Sequence, residues 1–259
     1  MRQIAARKTV IEVRIPAKLG FYSRMDMAAQ DLMNDDFSDW LRGPNAVEVQ
    51  DRTKHRRARL DFNRVFFESE VESREGSEAH LGLKMLKKAL KKLEVNECIR
   101  IGLRQWFAIE YPGLNVGELT RKITRQFSPP SDLETIVGEG FAFDDVAYNF
   151  EFEHINNRDH CRLIIGAMDQ TEWANHVPYE SAKPNAPTHL GKNAVAEIVD
   201  TLPKTFMFVD LDFGRRIRDQ KKNKPLAADD SFNHGAEFVQ RSKEIIRRLM
   251  QHTKDGRTK

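Results

Sequence analysis

The chain has 259 residues, of which 40% are hydrophobic and 31% charged, a composition that supports a buried core and a well-solvated surface. Its 42 basic and 39 acidic residues leave a net charge of +3, so overall charge does not single out a nucleic-acid-binding protein. Two cysteines do not indicate a disulfide framework, and we find neither a signal peptide nor an apolar run that would span a membrane, so we predict a cytoplasmic protein.

The N-terminal segment alternates strand and helix patterns. Residues 9–15 alternate apolar and polar side chains, which indicates a half-buried strand, and a short helical pattern covers residues 25–33. Residues 47–50 and 57–70 are typical of a hairpin. In its second strand the apolar residues change parity, and a bulge near Asn63 would explain that change.

A helix and a long strand complete the first half of the chain. Residues 78–95 place leucine, methionine and alanine on one side of a helix and lysine on the other. Residues 98–111 form a strand that ends at Pro112 and Gly113. The predicted order is β-α-β-β-α-β, which is the ferredoxin-like arrangement.

The second half begins with a helix whose first turn contains Asn115 and Glu118 at the spacing of a capping box. Residues 134–153 have a strand pattern, and residues 162–168 return as its hairpin partner. Three prolines predict a long loop from Trp173 to Leu190.

The pattern then continues to the C-terminus. A short helix is predicted over residues 193–201, a strand over residues 206–213, and a last helix over residues 232–251. We therefore predict an α+β protein with mainly antiparallel sheets, built from two ferredoxin-like halves, the second a variant of the first. The halves cover residues 1–112 and 113–259 and pack together as one compact body.

Four segments spread over the chain form a recognisable set. They are Ile11–Pro16, Ile101–Arg104, Val209–Phe213 and the last helix with His234, Phe238 and Ile245. Together they resemble a sporadically distributed family of uncharacterised prokaryotic proteins of similar length. That family's central strand reads Gly-x-Arg-Tyr followed by Asn, whereas this chain has Gln105-Trp106 after Arg104. The resemblance implies an α+β fold with a repeated half, no established reaction, and an association with defence or toxin–antitoxin-like loci.

Paired carboxylates give the sharpest enzymatic hypothesis. Asp210 and Asp212 are two residues apart on one predicted strand, so both side chains point to the same face. With Glu151 or Glu153 from a neighbouring strand they could hold Mg²⁺ in a nuclease. The same pattern arises on the solvated face of an antiparallel sheet, which is the interpretation we favour. Asp144-Asp145 and Asp229-Asp230 are further acidic pairs.

Histidines give weaker candidates. His234, together with His176 and His189, could supply a general base if the proline-containing segment folds over the last helix. His154, His160 and Cys161 lie close in sequence, but a matching second ligand pair is missing. We therefore predict no metal ion and no cofactor, and we list Asp210, Asp212 and His234 only as weak catalytic candidates.

Basic segments predict an alternative, nucleic-acid-binding function if they share one side of the molecule. The phenylalanines Phe62, Phe66 and Phe67 lie next to Arg57, Arg59 and Arg64, as base-stacking aromatics would, although no RNA-recognition motif is matched. The residues predicted to contact nucleic acid come from segment 52–59 and helix face 84–92: Arg52, Lys54, Arg56, Arg57, Arg59, Lys84, Lys88 and Lys91.

Three functions remain in order of preference. The first is a non-enzymatic binding or scaffolding subunit of a prokaryotic multi-protein system, with exposed sheet edges as docking surfaces for a protein partner. The second is an RNA- or DNA-binding protein, and the third is a metal-dependent nuclease. The sequence leaves the oligomeric state open.

Overall fold

The computed structural model describes residues 5–17, 20–51, 53–74, 76–127, 147–154, 159–181, 192–216 and 225–254. These residues form an α+β fold in which six helices accompany a mostly antiparallel sheet, so the predicted fold class is confirmed. The prediction for residues 134–146 and the acidic pair Asp144-Asp145 lie outside the described residues.

The helices are α1 (Phe21–Asp36), α2 (Ser77–Lys92), α3 (Val116–Phe127), α4 (Gln170–Ser181), α5 (Lys192–Asp200) and α6 (Ala228–Lys254). In the described part of the chain, none of them combines the length and the apolar character needed to cross a membrane.

The strands follow the chain in twelve segments. They are β1 (Ala5–Arg14), β2 (Asp39–Arg42), β3 (Ala46–Asp51), β4 (Arg56–Asp61), β5 (Arg64–Ser69), β6 (Ser73–Arg74), β7 (Glu97–Cys98), β8 (Arg100–Glu110), β9 (Ala147–Glu153), β10 (Asp159–Asp169), β11 (Thr205–Arg216) and β12 (Leu226–Ala227). One sheet runs in the order β2-β3-β4-β5-β1-β8-β11-β10-β9, with β6 beside β1, and β12 pairs separately with β7. Both outer strands of the long sheet, β2 and β9, pair with one neighbour among the described strands.

The two predicted halves have different strand orders. In the first half β1 lies between β5 and β8, and β4 lies beyond β5, as expected for β-α-β-β-α-β; β2 and β3 extend that sheet. In the second half β11 lies between β8 and β10, because it pairs with both over eleven residues. The duplicated ferredoxin-like layout is therefore not confirmed. The division at residue 112 stays a prediction, and β8 joins strands of both parts.

Helices α1, α2, α3 and α6 cover one face of the sheet, which we call the helix face. Alternate residues of the central strands point to this face, including Ile11 of β1, Leu103 of β8 and Leu211 of β11, and all are buried. The predicted apolar side of α2 packs there, with Leu86 and Leu90 almost fully buried. Every second residue of the strands and the apolar side of each helix are therefore buried together in one core.

The opposite face, which we call the open face, is covered at one end by α4 and α5. Trp106 of β8 and Trp173 of α4 are fully buried there, with ring centroids 5.5 Å apart in an edge-on arrangement. Ile198, Phe206 and Phe208 complete this second, smaller core. The rest of the open face is lined by charged side chains, because Lys, Arg, Asp and Glu alternate with the apolar residues of the first core.

Of two predictions made from short sequence signals, one is confirmed and one is wrong. The capping box is confirmed: the Asn115 N–H donates to Glu118 (2.9 Å), and the Glu118 N–H donates to Asn115 Oδ1 (2.9 Å). The bulge near Asn63 is wrong, because a two-residue turn at Phe62-Asn63 joins β4 to β5 and resets the parity. Such a turn needs no extra residue within a strand.

The predicted loop from Trp173 is also wrong over its first part, where the chain forms α4. A reciprocal cap begins this helix: the Glu172 N–H donates to Asp169 Oδ1 (2.9 Å), and the Asp169 N–H donates to Glu172 (2.8 Å). Burial of Trp173 then stabilises the helix on the sheet. The prolines that suggested a loop obscured both signals, and residues 182–190 lie outside the described part.

Gly82 allows α2 to approach the sheet closely. A Cβ at this position would lie 2.8 Å from Cγ of Phe67 and 2.9 Å from Cδ1 of Ile11, both in the core. Gly82→Ala is therefore expected to lower the free energy of unfolding by about 1–3 kcal/mol, as overpacked core sites do. Urea unfolding measures the change.

Gly117 in α3 provides the matched control. A Cβ there meets only ordinary contacts, at 3.6 Å from Asn115 Oδ1. Gly117→Ala is expected to raise the free energy of unfolding by about 0.5–1 kcal/mol, because alanine is the better helix former. Equal effects of the two substitutions would show that helix propensity, rather than close packing, determines the effect at Gly82.

Candidate functional site

The edge strand β2 exposes an unusual amount of apolar surface. All four of its residues are exposed, with Trp40 at 58% and Leu41 at 45%. In the register with β3, Trp40 lies opposite Val49 and so belongs to the helix face, whereas Leu41 lies opposite Glu48 on the open face. Apolar side chains thus flank the free edge on both faces of the sheet.

Helix α1 extends this surface. Tyr22 and Met27 of α1 are 40% and 56% exposed, and the helix packs beside β3 and β2. An ion pair between Arg42 and Asp26 joins β2 to α1, and the Tyr22 hydroxyl reaches Asn45 Oδ1 (3.5 Å) in the following turn. We call Tyr22, Trp40 and Leu41 the edge patch.

A row of buried ion pairs, which we call the ionic chain, crosses the open face and begins at Lys8, near the N-terminal end of β1. The ammonium of Lys8 lies 2.7 Å from a carboxylate oxygen of Glu70 and 2.8 Å from one of Glu68. Arg57 then bonds Glu68 through Nε (2.6 Å) and lies 3.8 Å from Glu48. All five side chains are buried, and three carboxylates face two cations.

Burial changes the pKa values of the side chains in the ionic chain. Burial raises the pKa of Glu70, although the nearby charge of Lys8 acts in the other direction. Burial also raises the pKa of Glu48, and there the charge of Arg57 opposes it. Burial alone would lower the pKa of Lys8, but the charges of Glu70 and Glu68 and their hydrogen bonds together raise it. The ammonium also lies 4.6 Å from the ring centroid of Trp106, a cation–π contact. These ion pairs connect β1, β3, β4 and β5.

The predicted carboxylate pair lies among arginines. Asp210, 2% exposed, is held by two nitrogens of Arg104, at 3.0 Å from Nε and 2.7 Å from Nη2. Asp212 lies 3.7 Å from Arg162, and burial raises its pKa against the opposing charge of Arg104. In the cross-strand register Arg162 lies between Asp212 and Glu151. A guanidinium thus occupies the position that a metal ion shared by these carboxylates would need.

Among the described residues, no group of three or more histidine, cysteine, aspartate or glutamate side chains could hold a metal ion. His160 and Cys161 are consecutive on β10 and therefore point to opposite faces. Burial, with the charge of Asp212, raises the pKa of the Cys161 thiol to about 11, and burial raises that of Cys98 to about 11. Both thiols are consequently protonated near neutral pH and poor nucleophiles.

His234 lies beside Arg215 (2.5 Å to Nη1) and Glu237 (3.3 Å) on the helix face. Arg215 in turn bonds Asp159, which is buried and also accepts a bond from Arg241 at 3.1 Å. The arrangement ties α6 to β10 and β11. His189 lies outside the described residues, and nothing is described of the His176 side chain, so a histidine cluster stays a prediction.

The predicted basic segment is divided between two surfaces. Arg56 bonds Glu78 at the start of α2 through Nε (2.7 Å), and Arg57 belongs to the buried ionic chain. Lys54 pairs with Asp51 (3.3 Å) and Arg59 with Asp61 (3.0 Å). Arg52 lies outside the described residues.

The lysines of α2 lie across the sheet from this segment. Lys84 and Lys91 are exposed, and Lys88 donates to the backbone oxygen of Asp31 (3.3 Å). Helix α2 covers the helix face, whereas Arg57 and Arg59 alternate with the core residues Ala58 and Leu60 and so point to the open face. The structure therefore does not bring the two predicted basic groups together.

Sequence patterns missed the β2 edge, although a signal was present. Trp40-Leu41 precedes Gly43-Pro44-Asn45, a sequence typical of a turn, and Val47 follows it. Apolar residues on both sides of a turn are typical of a hairpin. The strand was too short, and its aromatic too isolated, for period-2 alternation to identify it.

Comparisons with known proteins do not assign this chain to a family. A scan against protein-family models finds no match, and a search of curated proteins finds none either. The resemblance to a family of prokaryotic proteins therefore stays an expectation from the sequence.

Proposed function

We propose that this chain is a non-enzymatic binding subunit of a multi-protein system, and that a partner protein docks on the edge strand β2. The observation that carries the proposal is that all four residues of β2 are exposed, with Trp40 58% exposed, on a strand that pairs with one neighbour among the described strands. Proteins usually protect such edges, because unpaired backbone groups beside apolar side chains recruit other strands. A docking surface explains why this edge keeps its tryptophan.

The chemistry of the edge favours an extended segment as the partner. Backbone groups on the outer side of β2 can pair with an added strand, and alternate side chains of that strand would meet Trp40 on one face and Leu41 on the other. Tyr22, whose hydroxyl reaches Asn45 in the turn after β2, widens the apolar area on the α1 side. We therefore expect a partner segment with apolar residues at alternate positions.

The alternatives have less support. A nuclease centred on Asp210 and Asp212 would need carboxylates free to bind metal, whereas Arg104 and Arg162 contact them. The nucleic-acid surface proposed from segment 52–59 and α2 would need both groups on one side, whereas Arg57 and Arg59 point to the face opposite α2 and Arg56 pairs with Glu78 of α2. Membership of a defence-type locus stays an expectation from the resemblance.

Selection from a displayed library of random peptides of about a dozen residues, long enough to cover an edge strand, tests the proposal. We expect enriched sequences to alternate apolar and polar residues. Trp40→Asp is expected to weaken their binding about 30-fold, the loss of about 2 kcal/mol typical of a tryptophan hot spot.

Phe152 provides the matched control, because it is 53% exposed on β9, the strand at the other edge of the sheet. Phe152→Asp is expected to leave binding of the selected peptides unchanged. Equal losses in both variants, or selected peptides that bind Trp40→Asp normally, would contradict docking at β2.

A further inference from the structure

A second site lies on the open face, where β4 turns into β5. A cavity of about 450 Å³ is lined by Arg14, Arg59 and Arg64 with Asp61, Phe62 and two asparagines. From this geometry we propose that the cavity and the arginines beside it bind the phosphodiester backbone of a single-stranded nucleic acid. This site is separate from the edge patch and uses none of its residues.

The arginines form a row across three adjacent strands. Arg14 of β1 lies directly opposite Arg64 of β5 on one side and Arg100 of β8 on the other. Neighbouring strands are about 4.8 Å apart, so the backbones of the three arginines span about 10 Å across the sheet. The Arg100 guanidinium extends this row toward β11, where it lies over Gly214. Cations spaced in this way suit a chain of phosphates that crosses the strands.

Two glycines make room for the last member of the row. Gly102 and Gly214 face each other on β8 and β11. A Cβ on Gly214 would lie 3.2 Å from Nη2 of Arg100, so the Arg100 guanidinium occupies the space above the glycine backbone. A larger residue at Gly214 would displace it, and the row therefore depends on this glycine.

The guanidinium groups are held in a way that keeps their outer nitrogens available. Arg14 bonds Glu12 through Nε (2.8 Å), and Arg59 and Arg64 bond Asp61 through Nε (3.0 and 2.9 Å). Within the described residues, the hydrogen bonds that these three side chains donate all come from Nε. Nη1 of Arg64 also lies 3.6 Å from a carboxylate oxygen of Glu12, and the Nη nitrogens of Arg14 and Arg59 can make bidentate contact with an oxyanion. The charged residues that line the cavity, three arginines and Asp61, carry a net charge of +2, and Glu12 beside Arg14 and Arg64 and Glu48 opposite Arg59 offset it.

Aromatic rings beside the arginines favour nucleic acid over other polyanions. Phe62 lines the cavity and is 39% exposed. Phe66 lies on the open face, with the guanidinium carbons of Arg57 and Arg64 at 5.3 and 5.8 Å from its ring centroid. Cationic grooves with aromatic platforms are the usual means of binding single strands without sequence preference.

Fluorescence anisotropy with labelled oligouridine and oligothymidine tests the proposal, at about 12 nucleotides and in a salt series from about 50 to 200 mM. We expect binding that weakens steeply with salt. The double variant Arg14→Ala/Arg64→Ala should lose at least tenfold in affinity, and its log–log salt slope should fall by about 1.4, or about 0.7 per lost phosphate contact.

Arg74→Ala/Arg248→Ala is the matched control, because it removes two exposed arginines elsewhere and changes the net charge equally. It should retain binding. Phe62→Ala should weaken binding about fivefold or more without changing the salt slope, because stacking is uncharged. Phe62 lies in an exposed turn, and unchanged thermal unfolding would confirm that the variant folds.

Three results would overturn the proposal: no binding of either oligonucleotide at about 50 mM salt, an equal loss in the control variant, or no effect of Arg14→Ala/Arg64→Ala in a folded protein. Binding of a phosphoserine peptide with the same arginine dependence, but of neither oligonucleotide, would also overturn the nucleic-acid assignment.

Discussion

Replacing Lys8 with methionine is expected to lower the free energy of unfolding by about 3–5 kcal/mol, the usual cost of leaving a buried charge without its partner. Lys8 is the cation between Glu68 and Glu70, and the Glu70 side chain has no exposed surface. Methionine retains the length of the side chain, so the loss measures charge rather than volume. Urea unfolding at neutral pH gives the value.

Lys92→Met is the matched control. Lys92 pairs with Asp31 at 3.0 Å, but its side chain is 53% exposed. Its removal should cost less than about 1 kcal/mol, because water screens the pair. A cost for Lys8→Met as small as that for Lys92→Met would show that the ionic chain contributes little to stability.

The stability of Lys8→Met is also expected to depend on pH, in a direction that the pKa of Glu70 determines. Burial raises the pKa of Glu70 above its usual 4.5, so the folded state binds a proton more readily than the unfolded state does. The stability linked to Glu70 is then fully present below the unfolded pKa and is lost as pH rises through the folded pKa. Without Lys8 this effect becomes larger, since the cation that opposes protonation is gone. The deficit of Lys8→Met should therefore shrink as pH is lowered from 7 toward 4.5.

Replacing Arg104 with alanine is the second change with a large expected effect. Its guanidinium makes a two-point contact with Asp210, which is 2% exposed, and lies 5.2 Å from the ring centroid of Trp106. Removal leaves the Asp210 carboxylate buried without its cation. We expect a loss of about 3 kcal/mol in the free energy of unfolding, measured by urea titration.

Arg162→Ala is the control on the adjacent strand, because its partner Asp212 is 3.7 Å away and 26% exposed. We expect a loss below about 1 kcal/mol. The double variant Arg104→Leu/Asp210→Leu should recover much of the stability lost in Arg104→Ala, since an apolar pair replaces the ion pair. Failure to recover would indicate that Arg104 acts through other contacts.

These two predictions change how the charged residues of the sheet are interpreted. Lys8, Arg57, Arg104 and Asp210 hold elements together, and their substitution reports on folding before it reports on binding. A binding test with Arg56→Ala and Arg57→Ala would therefore be difficult to interpret, because both arginines pair with the carboxylates of other elements. The exposed arginines Arg14 and Arg64 are the better probes of an anion site.

Elements with strong local periodicity could be predicted from the sequence. The apolar side of α2, the capping box of Asn115 and Glu118, and the strand that ends near Phe213 are all encoded within a few residues. Local patterns determine which face of each element is apolar. They do not determine which strands become neighbours, and the position of β11 between β8 and β10 depends on pairings between residues far apart in sequence, such as Asp169 with Thr205 and Glu110 with Phe206.

The charged positions were harder to predict for the same reason. Lys8 lies between Arg7 and Thr9, in a polar stretch typical of a solvent-facing lysine, and its partners Glu68 and Glu70 are about sixty residues away in sequence. Burial under α4 and α5 changes the role of such residues from solvation to pairing. The edge patch was missed because Trp40 and Tyr22 come from different elements, β2 and α1, that the fold packs together.

Amide hydrogen exchange of residues Asp39–Arg42 is the most direct test of docking at β2. The experiment compares the free protein with the protein saturated by a peptide selected from the displayed library. Strand addition predicts that exchange slows at the outward-facing amides of β2 while amides of β9 exchange at their free rates, because only the paired edge gains hydrogen bonds. Protection confined to β9 or to the open face, with β2 unchanged, would contradict the proposed function.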